Sequence, residues 1–356
     1  MTDQPAIDDE PNSPPHLIVR ADASAEIGSG HLLRCLGLAH GWAAEGGEAT
    51  FVSHCGAAGL AGRVQDAGFE LVELPARCAE DADLKATLRC AKATPGSVVV
   101  LDGYGFGAPY QRRIKEAGLP LVVLDDNVHA RHYYADIVLN QGIDAGGLAY
   151  PSEPYTQFLL GTRFVLLRPE FLRWRGWRRV TGPVARRLLV TLGGSDPENA
   201  AALVVQALAA LPAADIEAVV VVGALYPHLE ELTRAAAPHT RIVQDVDDMA
   251  ELMVWADAAI SGGGATCWEL AFLGLPNIVL VLAANQAPIA HGLHAAGVSL
   301  NLGPLASVNA DQLAQAIAEL LEDSDAREAM GRRGRALVDG HGPRRVAQAI
   351  RALMSR

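Results

Sequence analysis

The sequence predicts an α/β protein of two doubly wound, mostly parallel-sheet domains that face each other across a cleft. Short apolar runs rich in Val, Leu and Ile alternate with helical stretches, the alternation stops in an arginine-rich segment, and it then begins again. The 356 residues are enough for two buried cores. The predicted boundaries are a disordered leader at 1–15, a first domain at 16–165, a linker at 166–187, a second domain at 188–340 and a C-terminal helix at 341–356.

The first domain is predicted from strands and helices that alternate along the chain. Apolar runs predict strands at 17–20, 49–53, 69–74, 98–102, 121–125 and 137–140. Helical periodicity bounded by glycine or proline predicts helices at 32–44, 84–92 and 109–117. Because strands joined by crossover helices run parallel, their carboxyl ends should share one edge of the sheet.

The second domain repeats this pattern after a connector at 163–187 that is rich in Arg, Trp and Pro. Its predicted strands are 188–192, 218–222, 241–243, 258–261 and 278–282. Its predicted helices are 198–211, 228–236, 249–256, 266–273, 287–296, 310–321 and 327–338, with a last helix at 343–353. A ligand is expected where the carboxyl edges of the two sheets face each other.

Composition limits the partners and the compartment. With a formal net charge of −12 and a pI near 5.4, the chain repels nucleic acids and anionic membranes, so neither is a predicted partner. Loop amides and helix N-termini can still hold a phosphate-bearing small molecule. Five scattered cysteines without CxxC spacing predict a reducing compartment, the cytoplasm. The leader lacks the features of a signal peptide or a membrane anchor, and a monomer without cofactor is expected.

A glycine turn that carries a histidine follows the first predicted strand. Arg20 ends the strand, Gly28 and Gly30 form a tight loop, and His31 begins the helix. Glycine lets the backbone approach a ligand closely, and imidazole exchanges a proton near neutral pH. His31 is therefore a candidate catalytic residue, although it could equally serve only to begin the helix.

A second glycine turn follows the strand at 188–192. After Gly193 and Gly194 come two residues that could cap a helix, Ser195 and Asp196, and then Pro197 at the expected helix start. Such a turn could bind a phosphate through free helix amides, or it could be an ordinary well-capped connection. The spacing favours neither interpretation.

The third turn has three consecutive glycines, Gly262, Gly263 and Gly264, after the strand at 258–261. Each glycine costs backbone entropy, so the run predicts that the main chain lies against a ligand, for which pyrophosphate is the natural candidate. Glu269 has two interpretations. It could form a capping box with Thr266, or it could accept hydrogen bonds from ribose hydroxyls.

Further polar side chains follow other strands. Asn285 and Gln286 could bind sugar hydroxyls or a phosphate oxygen, or they could simply form a turn. In the first domain, Asp102 and Tyr104 follow a strand on the edge that carries the histidine turn.

The pair Asp125 and Asp126 closes another strand of the first domain. Neighbouring residues of a strand point to opposite sides, so we predict no metal site there. Asp126 is expected to contact substrate or to partner His31.

These motifs resemble the UDP-sugar hydrolases of the pseudaminic acid pathway, whose substrate is UDP-2,4-diacetamido-2,4,6-trideoxy-β-L-altropyranose. The most specific matching segment is Arg20-x-Asp22-x-Ser24-x-x-Ile27-Gly28-x-Gly30-His31-x-x-Arg34-Cys35-Leu36. The similarity continues through Asp102-x-Tyr104, Asp125-Asp126, Leu139-Asn140-Gln141, Leu192-Gly193-Gly194-Ser195-Asp196, the triple-glycine segment with Trp268-Glu269-Leu270, and Asn285-Gln286, and it spans about residues 16–305.

The resemblance implies the GT-B fold, with two Rossmann-like domains, and hydrolysis that releases UDP and the free sugar with inversion and without a metal. It implies that His31 activates water, that Tyr104 and Asn285 place the sugar, and that Gly264, Thr266 and Glu269 hold the pyrophosphate and ribose. The other substrate contacts predicted from the motifs are Arg20, Asp22, Gly28, Gly30, Arg34, Asp126, Gly193, Gly194, Ser195, Gly263 and Gln286.

Two positions depart from the family pattern. Family members often have Ser at position 265 and Ala at 262, where this chain has Ala265 and Gly262. The alternative function is a UDP-sugar-dependent glycosyltransferase of the same fold, related to the UDP-GlcNAc transferase of peptidoglycan synthesis. A protein that binds a nucleotide sugar without turning it over is a third possibility.

Overall fold

The computed structural model describes residues 14–355 except 25–26, 57, 77, 195, 197, 212–215, 224–225, 245 and 247. Within these residues the chain forms two separate parallel sheets with helices on both faces, which confirms the predicted fold class. All of the leader but positions 14 and 15 lies outside the described residues. No helix in the described part of the chain is long and apolar enough to cross a bilayer.

The first sheet has seven parallel strands in the order β3-β2-β1-β4-β5-β6-β7. These are β1 (His16–Ala21), β2 (Glu48–Ser53), β3 (Glu70–Glu73), β4 (Val98–Asp102), β5 (Leu121–Leu124), β6 (Ile137–Asn140) and β7 (Gln157–Leu160). Its helices are α1 (Gly30–Ala44), α2 (Ala58–Asp66), α3 (Glu80–Ala93) and α4 (Ala108–Glu116), and a short helix α5 (Pro169–Leu172) lies in the connector.

The second sheet has six parallel strands in the order β10-β9-β8-β11-β12-β13. These are β8 (Arg187–Thr191), β9 (Glu217–Val222), β10 (Thr240–Gln244), β11 (Ala258–Gly262), β12 (Asn277–Val281) and β13 (Leu300–Pro304). The helices are α6 (Ala200–Ala209), α7 (Leu229–Ala235), α8 (Met249–Trp255), α9 (Thr266–Phe272), α10 (Ala287–Ala295), α11 (Ala310–Glu322) and α12 (Ser324–Leu337), followed by the last helix α13 (Gly342–Met354).

Alternation along the central strands builds a core on each face of a sheet. In β4, Val98 and Val100 pack in the cluster that contains α1, whereas Val99 and Leu101 pack in the cluster with α3 and α4. The helix α13 returns to the first domain, because Ile350 belongs to the same cluster as α1. The last helix therefore completes the core of the domain in which the chain begins.

Two strands and two helices of the described chain were not predicted, and one of these helices, α5, lies in the segment predicted as a linker. The edge strand β7 has only four residues, and β13 has the sequence LNLGP, in which Asn, Gly and Pro weaken the strand pattern. The helix α2 contains Gly59 and Gly62, which lower its helix propensity. Tertiary packing stabilises these elements where local sequence does not.

Candidate active site

His31 lies in the first turn of α1, directly after the loop that follows β1. Backbone hydrogen bonds of 2.8 and 3.3 Å between Ser24 and Gly28 close this loop. Gly28 has a φ of 75°, a conformation that residues with a Cβ rarely adopt. The loop places His31 at the carboxyl edge of the first sheet, with 13% of its side chain exposed.

Arg34 lies one turn along α1 from His31 and binds two carboxylates. Its Nε and Nη2 donate to Asp102, each at 2.6 Å, and its Nη1 donates to both oxygens of Asp126 at 2.7 and 2.9 Å. Burial lowers the pKa of Arg34, but Asp102 and Asp126 more than reverse this and hold the pKa well above its usual value. Asp102 is fully buried, so its charge depends on this pairing.

The carboxylate beside His31 is that of Asp102. His31 Nε2 lies 4.0 Å from Asp102 Oδ1, where opposite charges attract but no hydrogen bond forms. Asp126 was considered as a partner for His31. In the structure both of its oxygens instead accept from Arg34. The signal that could have identified Asp102 is strand order, since β1 and β4 are neighbours and Ala21 pairs with Asp102.

Tyr104 lies between two histidines. Its ring meets His31 edge-on with centroids 5.2 Å apart, and it meets His129 edge-on at 5.9 Å. Burial raises the pKa of Tyr104, Asp126 adds to the rise, and the nearby Asn285 side chain opposes it. Asn285 belongs to the second domain, so the structure brings the two residues expected to place the sugar together across the cleft.

Asp125 organises the turn that holds His129. Its oxygens accept from the backbone amides of Asn127 and Val128 at 2.7 and 2.6 Å, and from the hydroxyl of Tyr133. Its Oδ2 lies 2.6 Å from His129 Nδ1. Burial lowers the pKa of His129, but Asp125 more than offsets this and the pKa is raised. Asp125 therefore supports the wall behind Tyr104, a role that the sequence did not indicate.

Arg20 and Asp22, predicted as substrate contacts, lie in a buried network. The Arg20 guanidinium donates to Asp22 at 2.8 Å and to Asp83 at 2.9 Å, and only 3% of Arg20 is exposed. Asp22 also accepts from the backbone amide of His54 at 2.7 Å. In the structure these two side chains tie the ends of β1 and β2 to α3, and the role of Asp83 was missed.

The triple-glycine turn after β11 is held by Gln286. Gln286 Oε1 accepts from the backbone amides of Gly263 and Leu282, each at 3.0 Å. A Cβ at Gly263 would lie 3.0 Å from Gln286 Cβ, whereas a Cβ at Gly264 would meet nothing within 4 Å. The Gly263 amide is thus already bonded in this structure, and the open part of the turn begins at Gly264, while the binding of pyrophosphate by this turn stays a prediction.

Glu269 does not form a capping box with Thr266. The N-cap of α9 is Ala265, and α9 has no side-chain cap. The Oε1 of Glu269 instead accepts from Arg168 Nη2 at 2.9 Å and Nε at 3.2 Å. Burial raises the pKa of Glu269, and Arg168 opposes the rise. Arg168 comes from the connector, and no sequence pattern indicated this pair.

The turn after β8 is a capped connection. Asp196 is buried and accepts from the amides of Ala200 and Ala201, each at 2.8 Å, so these first amides of α6 are occupied. The carbonyl oxygen of Gly194 would lie 1.8 Å from a Cβ at Gly223, so this turn packs closely against the end of β9. Ser195 lies outside the described residues. In the described part of the chain, no group of three or more His, Cys, Asp or Glu residues could hold a metal ion.

Comparison with known sequences finds a family match in the second domain and relatives that align with about three quarters of the chain. Residues 188–341 match the family described as Glycosyltransferase family 28 C-terminal domain. The spore coat polysaccharide biosynthesis protein SpsG of Bacillus subtilis is 29% identical over 272 residues, which are 75% of this chain and 79% of SpsG. The protein MJ1062 of Methanocaldococcus jannaschii is 26% identical over 274 residues, 74% of this chain. This chain spans only 55% of the length of MJ1062.

Comparison with solved structures shows the same two-domain arrangement. MurG of Acinetobacter baumannii matches with a TM-score of 0.66 and 15% identity, over 95% of this chain and 100% of that one. The structure of LpCGTa in complex with UDP matches with a TM-score of 0.68 and 15% identity, over 97% of this chain and 100% of that one. At these identities the likeness concerns the fold, and the chain has the GT-B-like fold of glycosyltransferases.

Proposed function

We propose that this protein is an enzyme that hydrolyses a UDP-linked diacetamido-trideoxy sugar to UDP and free sugar, with inversion at C1. The observation that carries the proposal is the position of His31, at the cleft beside the Asp102–Arg34 pair and in ring contact with Tyr104. The resemblance of the motifs to UDP-sugar hydrolases of nonulosonic acid synthesis supports the substrate class.

In the proposed reaction a water oxygen attacks C1 of the sugar while His31 Nε2 accepts a proton from that water. The bond between C1 and the β-phosphate oxygen breaks, and its electron pair stays on UDP. The transition state is oxocarbenium-like. The buried Asp102 carboxylate, 4.0 Å from His31 Nε2, stabilises the imidazolium that forms. No metal ion is assigned a role.

The second domain is proposed to hold UDP. The amides from Gly264 to Thr266 follow the strand β11 and border open space at Gly264, so they can donate to a pyrophosphate oxygen as negative charge grows there. Glu269 is proposed to accept from ribose hydroxyls through the oxygen that Arg168 does not bind. LpCGTa in complex with UDP and SpnG complexed with thymidine diphosphate have the same fold, which supports a nucleoside diphosphate here, and the motif resemblance favours UDP.

A glycosyltransferase is the second candidate. The match of residues 188–341 to the family 28 C-terminal domain favours it, because that match covers the proposed UDP-binding domain. A transferase would pass the sugar to an acceptor hydroxyl in place of water, with the same base at His31.

An incubation without acceptor separates the two functions. Pure protein is mixed with a panel of UDP-linked amino sugars, and UDP and free sugar are followed by NMR. The proposal expects rapid release of both from at least one diacetamido sugar, unchanged in His132→Asn, a control histidine that pairs with Glu153 away from Tyr104. Release only after an acceptor is added would establish the transferase instead.

A further inference from the structure

A polar cavity lies where the connector meets the second domain, at the end of α9 opposite to the triple-glycine turn. Its volume is about 250 Å³. Three elements supply its walls, namely the connector, the turn after α9 and the helix α12. The lining residues are Arg179, Thr181, Gly274, Glu328, Gly331 and Arg335.

The cavity holds two arginines without a carboxylate partner. Across the residues that the structure describes, Arg335 forms no hydrogen bond or ion pair, and Arg179 bonds only to the carbonyl oxygens of Met253 and Ala256 at the end of α8. The Nε of Arg179 is buried with no acceptor. Elsewhere in the connector, by contrast, Arg168 and Arg173 are both paired with carboxylates.

Neighbouring positive charge acts on both arginines. Burial lowers the pKa of Arg179 to about 10, and although Asp257 opposes the change, Arg187 and Arg335 lower the pKa further. Burial also lowers the pKa of Arg335, and Arg178 adds to this. In a chain of net charge −12, a cavity lined by two such guanidinium groups is a place where an anion relieves repulsion.

Two glycines make room for the Arg335 side chain. A Cβ at Gly274 would lie 2.1 Å from Arg335 Nη1 and 2.9 Å from the carbonyl oxygen of Gly331. A Cβ at Gly331 would lie 2.7 Å from the carbonyl oxygen of Gly274. Arg335 is thus held against the backbone of the turn, which fixes where its donors can point.

The geometry points to an anion site for a phosphate group, formed by Arg335, Arg179 and Thr181 and separate from the proposed UDP site. Guanidinium groups bind phosphate through paired N–H donors, and the threonine hydroxyl adds a further donor. The volume accommodates inorganic phosphate with water or a small phosphorylated molecule. Glu328 is exposed on the wall and makes no ion pair with either arginine, so it weakens anion binding without blocking it.

The test is phosphate binding by calorimetry at constant ionic strength, with UDP present at saturation to keep the nucleotide site filled. The wild type is expected to bind inorganic phosphate saturably. Arg335→Gln should weaken binding by about tenfold or more, equivalent to about 1.4 kcal/mol. Arg332→Gln, an exposed change of equal charge on the same helix, should leave it unchanged, and Glu328→Gln should strengthen it.

A parallel titration with a hexose phosphate identifies the natural source of the phosphate group. Tighter binding than inorganic phosphate assigns the site to a phosphorylated metabolite, and equal binding assigns it to free phosphate. The proposal is overturned if the wild type shows no saturable binding, or if Arg335→Gln binds as tightly as wild type. Should Arg335→Gln fail to unfold cooperatively, Arg335→Lys replaces it, because lysine keeps the charge and loses the paired donors.

Discussion

The two sides of the cleft differ in their chemistry. On the first domain, Arg34, Asp102 and Asp126 form a charged and largely buried cluster beside His31. On the second domain, the turn after β11 presents glycine backbone held in place by the neutral side chain of Gln286. Under the proposed function, the first side suits the transfer of a proton and the second suits the binding of an anion. Substitutions on the first side should therefore affect turnover, and those on the second should affect binding.

The largest expected effect is on turnover and comes from replacing His31. Replacing it with Asn removes the proposed proton acceptor but leaves the β11 turn intact, so turnover should fall about 10²–10⁴-fold, the usual contribution of general-base catalysis. The dissociation constant for UDP should change little. Steady-state kinetics and UDP calorimetry on the same preparation measure both. Equal turnover in the variant would remove His31 from the mechanism.

The next largest effect is on the free energy of unfolding and concerns the charged cluster of the first domain. Arg34→Met leaves the fully buried Asp102 without its partner, which should cost about 3–5 kcal/mol of unfolding free energy at neutral pH. Urea unfolding measures it. The double variant Arg34→Met, Asp102→Asn should recover part of the loss, because the unpaired charge is then absent. A double variant no more stable than Arg34→Met would show that the pair does not act as described.

A smaller effect, on UDP affinity, is expected at the turn after β11 in the second domain. Gln286→Ala removes the acceptor shared by the Gly263 and Leu282 amides, so the turn loses its support and UDP affinity should fall by about tenfold. The turnover number should stay within a few fold of wild type. The control Gln286→Glu keeps the acceptor oxygen and should retain stability while its charge repels UDP. A large fall in turnover with unchanged UDP affinity would contradict the assignment of nucleotide binding to the second side.

The smallest effect concerns His129 and depends on pH. The raised pKa of His129 means that its pairing with Asp125 stabilises the fold below the unfolded value of about 6.5, and that this contribution disappears as pH rises through the folded pKa. The lowered pKa of Asp125, where burial is outweighed by the adjacent His129 ring and the Tyr133 hydroxyl, means that its contribution is present above about 3.9 and is lost on acidification. The pair is thus strongest between about pH 4 and 6.5.

His129→Gln should therefore lower the unfolding free energy by about 1 kcal/mol at pH 5.5 and by less at pH 8.5. Urea unfolding of wild type and variant at both pH values measures the difference. The more exposed His132 pairs with Glu153, and His132→Gln should cost less at pH 5.5 because surface ion pairs contribute little. A loss for His129→Gln that grows towards pH 8.5 would contradict the assigned pairing.

Much of the fold could be predicted because its signals are local. The buried parallel strands are continuous apolar runs, and β4 and β6 have the predicted bounds. The glycine turns were found for the same reason, because the backbone conformation of a tight turn depends on a few adjacent residues. The partners of the site residues could not be found this way. Arg34 meets Asp102 across 68 positions and Arg168 meets Glu269 across 101, so only the tertiary structure brings them together.

Hydrolysis in water enriched in ¹⁸O reports whether the water attacks C1 of the sugar or the β-phosphorus. The enzyme is incubated with its UDP-sugar, and the label in the sugar and in UDP is measured by mass spectrometry, with His31→Asn in parallel. Attack at C1 assisted by His31 predicts one ¹⁸O on the sugar, none in UDP, and a matching loss of labelled sugar in the variant. Label in the β-phosphate of UDP would mean attack at phosphorus and would contradict the proposed chemistry.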